Sequence, residues 1–574
     1  MLKNYPEILF SNNDKRNILV LICAGLLIRF YGIQYGLPSV YNSTEYFIAK
    51  HALSFGARRT LEPLYFIYPT FYVYFIAAIF GFYFFVGRVV GWFSNSSDFA
   101  VQFLLDPTLF YLIGRSMNAL AMLFATIILF RTIRRFLTTN LALIISLLFL
   151  FCYNLFYFTF WMVPDAFLVL GTVIVLFYMV KLNLEDLSIS QLILSSIICG
   201  LTISCKYNAG FLALGLITAH LIKKDQPFSK RFIRTIVVGI LVVIGFLLGS
   251  PYWLINFQNF FEGFRTIWSQ SQYAYNFEAG LPYIWEIFSI IKTELLLGLI
   301  LIMLLFLSLF KRNVIVLSNV MIILPTFLIV GSWEKKGLDY LLVIFPPLFV
   351  LLGYWVREIL NRWPQKKVIV HIVLVFTLIV SFPKILYLNY LYTQKDTRQL
   401  TGEWIMENLP PGEKICYDHY HYDIGLIDLE RFTRYGEGSQ LLSEEIKEKL
   451  VARDSMANFY RFVSTRKRLT LSELPDSLYQ LAKDDPFLLE NFTHPFKSLS
   501  EIESEGTQIL ILNSDTYLKY LENPVPEPDN PLRTEFLKKK KFYQEVFDKY
   551  KPIQIFKPDW NRPGPVIQIF KIKG

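Results

Sequence analysis

Leu64–Trp92 reads LYFIYPTFYVYFIAAIFGFYFFVGRVVGW, 29 residues with one charge, Arg88. A helix needs about 20 apolar residues to cross a bilayer core, so this stretch is long enough, and whether it crosses sets the side of everything that follows. The later Lys and Arg decide between the two arrangements. If 64–92 turns back or lies in the interface, four basic clusters face the side of the N-terminal Lys15 and Arg16: Arg131/Arg134/Arg135, Lys223/Lys224/Lys230/Arg231/Arg234, Lys311/Arg312 and Arg357/Arg362/Lys366/Lys367. That is how cytoplasmic loops behave. A single crossing would turn all four clusters outward while the N-terminus stayed in. The first arrangement is expected, and the density of Tyr and Phe suits a helix at headgroup level.

Outward from this stretch, apolar runs lie near residues 17–35, 109–130, 138–156, 165–181, 189–205, 208–222, 233–250, 286–310, 313–331, 338–356 and 368–388. They predict about 11 crossings, and up to about 13 if 64–92 contributes. The first run carries Arg29 and no small-residue cleavage site, so it is expected to remain as a membrane helix. Charge then divides the chain. Residues 1–393 hold 30 Lys/Arg and 17 Asp/Glu, about 12% of the segment, whereas 394–574 hold 26 and 29, about 30%. The expected fold class is an α-helical polytopic membrane protein over 1–393, including an outer loop 36–107, followed by a soluble α/β domain over 394–574. In the latter the pattern predicts a helix at 400–407, strands at 414–417, 508–512, 553–556 and 566–572, and a helix at 534–549.

The same division excludes several functions. The whole-chain net charge of +10 does not point to nucleic acid, because 394–574 is net negative and the positive excess belongs to the membrane part. Five cysteines without a CxxC or Cys/His ligand spacing give neither a disulfide framework nor a zinc site, and no metal is expected. In the stretch Asp418–Asp423, His419 and His421 alternate on one strand face and admit a metal, but a surface strand end is the favoured reading. The absence of an internal repeat, with charges at one face, argues against a secondary transporter.

Ionisable groups near membrane spans are costly and so are functional candidates. In the expected topology the outer ends collect Glu45, Lys50, His51, Arg58, Arg59, Arg115, Asp165, Lys206, Lys292, Glu294, Glu334, Lys335, Lys336 and Asp339. Carboxylates and cations facing one outer cavity suit an anionic lipid headgroup with an acid/base group beside it.

The first outer loop carries Leu37-Pro38, Thr44-Glu45, Lys50-His51-Ala52-Leu53 and Tyr68-Pro69. These are followed by Gly114-Arg115-Ser116, Pro164-Asp165, Lys206-Tyr207, Ser250-Pro251-Tyr252 and Asp339-Tyr340 before Phe345-Pro346-Pro347. This order resembles GT-C-type membrane glycosyltransferases, in particular the bacterial branch that is similar to protein O-mannosyltransferases and lipid A aminoarabinose transferases. The likeness extends over about residues 17–390, with Asp396-Thr397-Arg398 and Gly564-Pro565 similar to the soluble tail of that branch.

The resemblance implies an inverting glycosyltransferase that moves a sugar from a polyprenyl-phosphate donor to an acceptor, a protein, lipid or glycan, on the outer face. For a bacterial protein it implies the inner membrane, with the N-terminus cytoplasmic and the C-terminal domain periplasmic. Membrane lipids and the polyprenyl-phosphate sugar are the implied partners, with no further cofactor. Glu45 and Asp165 are then the expected catalytic acids. Lys206, Lys335, Lys336, Arg115, Arg58 and Arg59 are the expected donor-phosphate cations, and Thr44, Lys50, His51, Tyr68, Asp339 and Tyr340 the supporting residues. The apolar groove for the isoprenoid would follow Pro69. The sequence departs from the pattern where Thr44 stands in place of an Asp, Ile67 in place of a basic residue and Asp339 in place of an Arg. These departures keep open an alternative, a catalytically silent relative that serves as a lipid-binding or scaffold subunit.

Overall fold

The computed structural model describes residues 12–63, 65–223, 226–273, 281, 283–410, 412–418, 424 and 461–572. Besides short 3-10 helices, one of which, Leu338–Ile344, carries Asp339 and Tyr340, eighteen α-helices precede residue 392 among these. They are α1 Asn12–Phe30, α2 Ser43–Arg58, α3 Phe71–Val90, α4 Ser96–Leu105, α5 Thr108–Arg134, α6 Thr139–Leu150, α7 Tyr153–Thr159, α8 Asp165–Leu184 and α9 Ile189–Ile203. The series continues with α10 Gly210–Leu221, α11 Phe228–Gly249, α12 Tyr252–Ile255, α13 Phe257–Tyr273, α14 Ile284–Glu294, α15 Leu296–Ser308, α16 Val314–Gly331, α17 Phe345–Arg362 and α18 Lys367–Leu391. Their shared core is built from large apolar side chains such as Met122, Phe130, Phe149, Leu176, Leu216 and Phe349.

Among the described residues, seven segments are long and apolar enough to cross a membrane, or eight if the bent pair α6 and α7 is one span. Eleven were expected, and the difference has local causes. The runs 189–205 and 208–222 form α9 and α10, which are short apolar helices of 15 and 12 residues. At 1.5 Å per residue each is well under the roughly 30 Å of a bilayer core. The run 286–310 breaks at Leu295, whose φ of 53° lies in the left-handed region. The run 138–156 bends by 50° between α6 and α7.

α3, the heart of the opening stretch, passes the length and composition test for a span. Its contacts nevertheless keep it at one end of the bundle. The Thr70 amide donates to Ser250 Oγ (3.0 Å) and the Phe71 amide to the Ser204 carbonyl (3.1 Å), at the ends of α11 and α9. Further along, the Tyr72 hydroxyl donates to Asn118 Oδ1 at 3.0 Å, and the rings of Phe80 and Tyr83 pack on Phe110. α3 therefore runs beside residues 110–118 of α5 and away from Arg131–Arg135. The residues expected to form the isoprenoid groove split by face: Tyr72, Val73, Ile76 and Phe80 are buried, while Phe82, Phe85, Val89 and Trp92 are exposed.

The opposite end of the bundle gathers the basic loops, three of which are tied to acids: Arg134 to Asp14 (3.0 Å), Arg135 to Glu185 (3.2 Å), Lys223 to Asp186 (2.5 Å) and Lys311 to Glu358 (2.8 Å).

After α18 come α19 Thr397–Asn408, β1 Lys414–Asp418, β2 Arg461–Val463, α20 Pro486–Thr493, β3 Ile509–Asn513, α21 Ser514–Leu521, α22 Arg533–Lys549, β4 Pro552–Phe556 and β5 Ile567–Lys571. The strands form one sheet in the order β2-β1-β3-β5-β4. β1 pairs parallel with β2 and β3, while β5 runs antiparallel to β3 and β4. β3 is buried along its whole length, as a central strand covered on both faces should be. The expected strands and both expected helices fall on these elements. β2, α20 and α21 are short pieces without a clear periodic signal, and His419–Asp423 lie outside the described residues.

Candidate functional site

Two polar clusters occupy the end of the bundle that carries α2 and the start of α8. The first is built on α5. Arg115 and Asn118 stand three residues apart on this helix and so share one face. The Arg115 guanidinium is fully buried. It grips both oxygens of Glu45, Nε to Oε1 at 2.8 Å and Nη2 to Oε2 at 2.6 Å, and its Nη1 donates to the carbonyls of Ile33 and Tyr35, each at 2.8 Å. The rings of Phe160 and Trp161 flank it. Glu45 Oε1 also accepts from the Met162 amide at 2.5 Å. Asn118 Nδ2 donates to the carbonyls of Trp161 (2.5 Å) and Val163 (2.8 Å). One face of α5 thereby fixes α2, the loop before it and the turn that delivers Asp165.

The second cluster is centred on Lys206, which lies in extended backbone after α9 and directly before a single 3-10 turn, Tyr207–Ala209. Its ammonium donates to Asp165 Oδ1 at 2.9 Å and to Asp339 Oδ2 at 3.1 Å, and it sits 5.1 Å from the centre of the Tyr340 ring. Lys335 approaches the same ring at 5.5 Å. Tyr68 joins this cluster to α2: it hydrogen-bonds with Thr44 and lies in the field of Lys206, Asp339 and Asp165. Burial pushes the Tyr68 phenol up, so it keeps its proton near neutrality. Burial lowers Lys335, and neighbouring Lys206 adds to the effect; Asp339 opposes it, and the ammonium settles at about 8. Among the described residues, Lys335 forms no salt bridge with a carboxylate.

The remaining expected residues separate. Lys336 turns to Glu286 (3.3 Å) and to the Gly331 carbonyl (3.2 Å). Arg58 donates to the Glu62 carbonyl, and Arg59 is an exposed, left-handed C-cap of α2 with φ 52°. His51 is buried among Phe47, Phe55 and Tyr65. Burial, with Arg58 nearby, lowers its imidazole to about 4, which leaves it neutral at pH 7. Lys50 is half-buried on the same helix. The structure thus brings Thr44, Tyr68, Asp165, Lys206, Lys335, Asp339 and Tyr340 together, sets Glu45 and Arg115 beside them as a closed pair, and leaves Lys336, Arg58 and Arg59 elsewhere.

Sequence reasoning missed Asn118, although an amide inside an apolar span is itself a signal. It also missed Asn208, whose Nδ2 holds the Tyr340 carbonyl at 2.5 Å. Glu294, grouped with the outer charges, caps α7: it accepts from the amides of Tyr153 (3.0 Å) and Asn154 (2.6 Å).

The segment before α2 also meets the C-terminal part. The Tyr35 hydroxyl donates to Asp396 at 2.5 Å, Arg398 binds both oxygens of Asp396, and its guanidinium lies 3.7 Å from the centre of the Tyr41 ring. The Thr397 hydroxyl reaches the Pro565 carbonyl at 2.7 Å, so the two tail motifs are neighbours.

Among solved structures, the chain is similar to ArnT from Cupriavidus metallidurans bound to undecaprenyl phosphate. The identity is 14% and the TM-score 0.46, with 96% of this chain and 97% of that one covered. It is also similar to the apo oligosaccharyltransferase of Archaeoglobus fulgidus, at 9% identity and a TM-score of 0.42, over 91% of this chain and 72% of that one. No curated protein sequence matches it. By the length and composition of its helices the protein is a multi-pass membrane protein, and its residues 111–254, which carry Arg115, Asn118, Asp165 and Lys206, match the family of dolichyl-phosphate-mannose-protein mannosyltransferases.

Proposed function

We propose that the protein is a glycosyltransferase that moves a sugar from a polyprenyl-phosphate donor to an acceptor at the outer face of the membrane. The observation that carries this reading is the Lys206 cluster, two buried or half-buried lysines and two carboxylates at one end of an apolar bundle. The leaving group of such a reaction is a lipid phosphate, and Lys206 with Lys335 would stabilise its developing charge. Asp165 would hold Lys206 in position. Glu45 fits a positioning role better than that of an acid in direct contact with substrate, because Arg115 and the Met162 amide occupy its carboxylate and it has no exposure. The boundary near residue 393, with the later residues as an outer cap, belongs to the same proposal, as do inversion and the periplasmic side.

The test is transfer by protein reconstituted in liposomes, with undecaprenyl-phosphate mannose and undecaprenyl-phosphate aminoarabinose as donors and released undecaprenyl phosphate as the readout. Wild-type turnover that Asp165→Asn abolishes is expected, and full activity in that variant opposes the reading. A second reading, a lipid-binding subunit without turnover, is favoured by Thr44 and by the closed Glu45–Arg115 pair. Binding of undecaprenyl phosphate with no turnover of either donor would select it.

A further inference from the structure

We infer that Asp339 is the general base of the transfer, the group that takes the proton of the acceptor hydroxyl; this rests on the transferase reading above. Four carboxylates of the helical part, before residue 392, are drawn into ion pairs at this end of the bundle among the described residues. The side chains of Glu45, Asp165 and Glu286 are 0%, 9% and 1% exposed, whereas that of Asp339 is 31% exposed. A base must reach its substrate within hydrogen-bond distance, and of the four only Asp339 has that access. Its Oδ2 is held by Lys206, while its Oδ1 has no hydrogen bond among the described residues. Gly337 keeps that oxygen clear, since a Cβ at residue 337 would fall 2.5 Å from it.

The step balances as a single displacement. The acceptor oxygen gives its proton to Asp339 Oδ1 and forms a bond to the anomeric carbon. The bond from that carbon to the phosphate oxygen breaks, and its electron pair leaves on the polyprenyl phosphate. Protonation of Asp339 also weakens the hold of its carboxylate on Lys206, which Asp165 and the Asp339 carbonyl keep in place, so more of the ammonium's charge acts on the phosphate as negative charge appears there. Base and electrophile are thus coupled through one hydrogen bond.

The experiment compares wild type, Asp339→Asn and Asp339→Glu in liposomes with the two undecaprenyl-phosphate sugars named above, reading release of undecaprenyl phosphate and, separately, donor binding. Asp339→Asn is expected to lower turnover about 10²–10⁴-fold while donor still binds, and Asp339→Glu to keep part of the activity. The assignment is overturned if Asp339→Asn turns over at the wild-type rate, if it loses donor binding together with turnover, or if Glu does no better than Asn. No turnover by wild type overturns the transferase reading, and the assignment with it.

Discussion

Glu45 and Asp339 are both acids at the end of the bundle that carries α2, and packing gives them opposite surroundings, one closed and one open. Glu45 sits 70 residues from Arg115 in sequence, yet the two close a fully buried bidentate pair. Removing one partner of such a pair leaves a buried charge uncompensated, at a cost of about 3–5 kcal/mol, so the pair is suited to holding α2 and the preceding loop in place. Lys335, without a salt bridge to a carboxylate among the described residues, is, with Lys206, the cation proposed for the phosphate. Burial lowers it to about 8, so it is charged below that pH and loses its proton as pH rises through it. Binding of undecaprenyl phosphate is therefore expected to weaken about tenfold as pH rises through 8, and Lys335→Met to bind weakly at every pH without that step. An isothermal titration series across pH checks this; a step that survives in the variant assigns it to another group. Asp165, Lys206 and Asp339 were legible as candidates because charges are conspicuous beside apolar runs, and Thr44 only through the resemblance to a family that has an Asp there. Which acid would be closed off and which left open depends on contacts far apart in sequence, and the residues alone do not carry it.

At the scale of elements, α9 and α11 pack through glycines. A Cβ at Gly200 would stand 2.1 Å from the Val242 carbonyl oxygen, and one at Gly245 would stand 2.3 Å from that of Ile197. Small residues permit this approach where lipid offers no hydrophobic drive. Gly245→Leu is expected to cost about 1–3 kcal/mol and to lower the melting temperature in detergent. Gly239→Ala, on the same helix with nothing within 4 Å of its Cβ, should leave it unchanged; equal melting of the two variants would contradict the packing. The apolar runs and the strands of the C-terminal sheet were readable from periodicity. The break at Leu295 and the bend between α6 and α7 were not, because hydropathy reports what a segment is made of and not where its backbone turns.

At the scale of the molecule, ion pairs sort to the two ends of the bundle. One end ties the basic loops to Asp14, Glu185, Asp186 and Glu358; the other holds the Lys206 cluster and, through Tyr35, Asp396 and Arg398, meets the C-terminal part. This sidedness was legible from the distribution of Lys and Arg, since the positive-inside rule needs only their positions. The meeting of Asp396–Arg398 with Tyr35 and Tyr41 was not, because no local pattern marks a contact across more than 350 residues. The central claim is that the Lys206 cluster receives a polyprenyl phosphate. Native mass spectrometry of the purified protein tests it most directly, with undecaprenyl phosphate supplied. The account predicts a bound lipid phosphate that the double variant Lys206→Met, Lys335→Met loses; no bound lipid in the wild type, or equal binding in the variant, would contradict it.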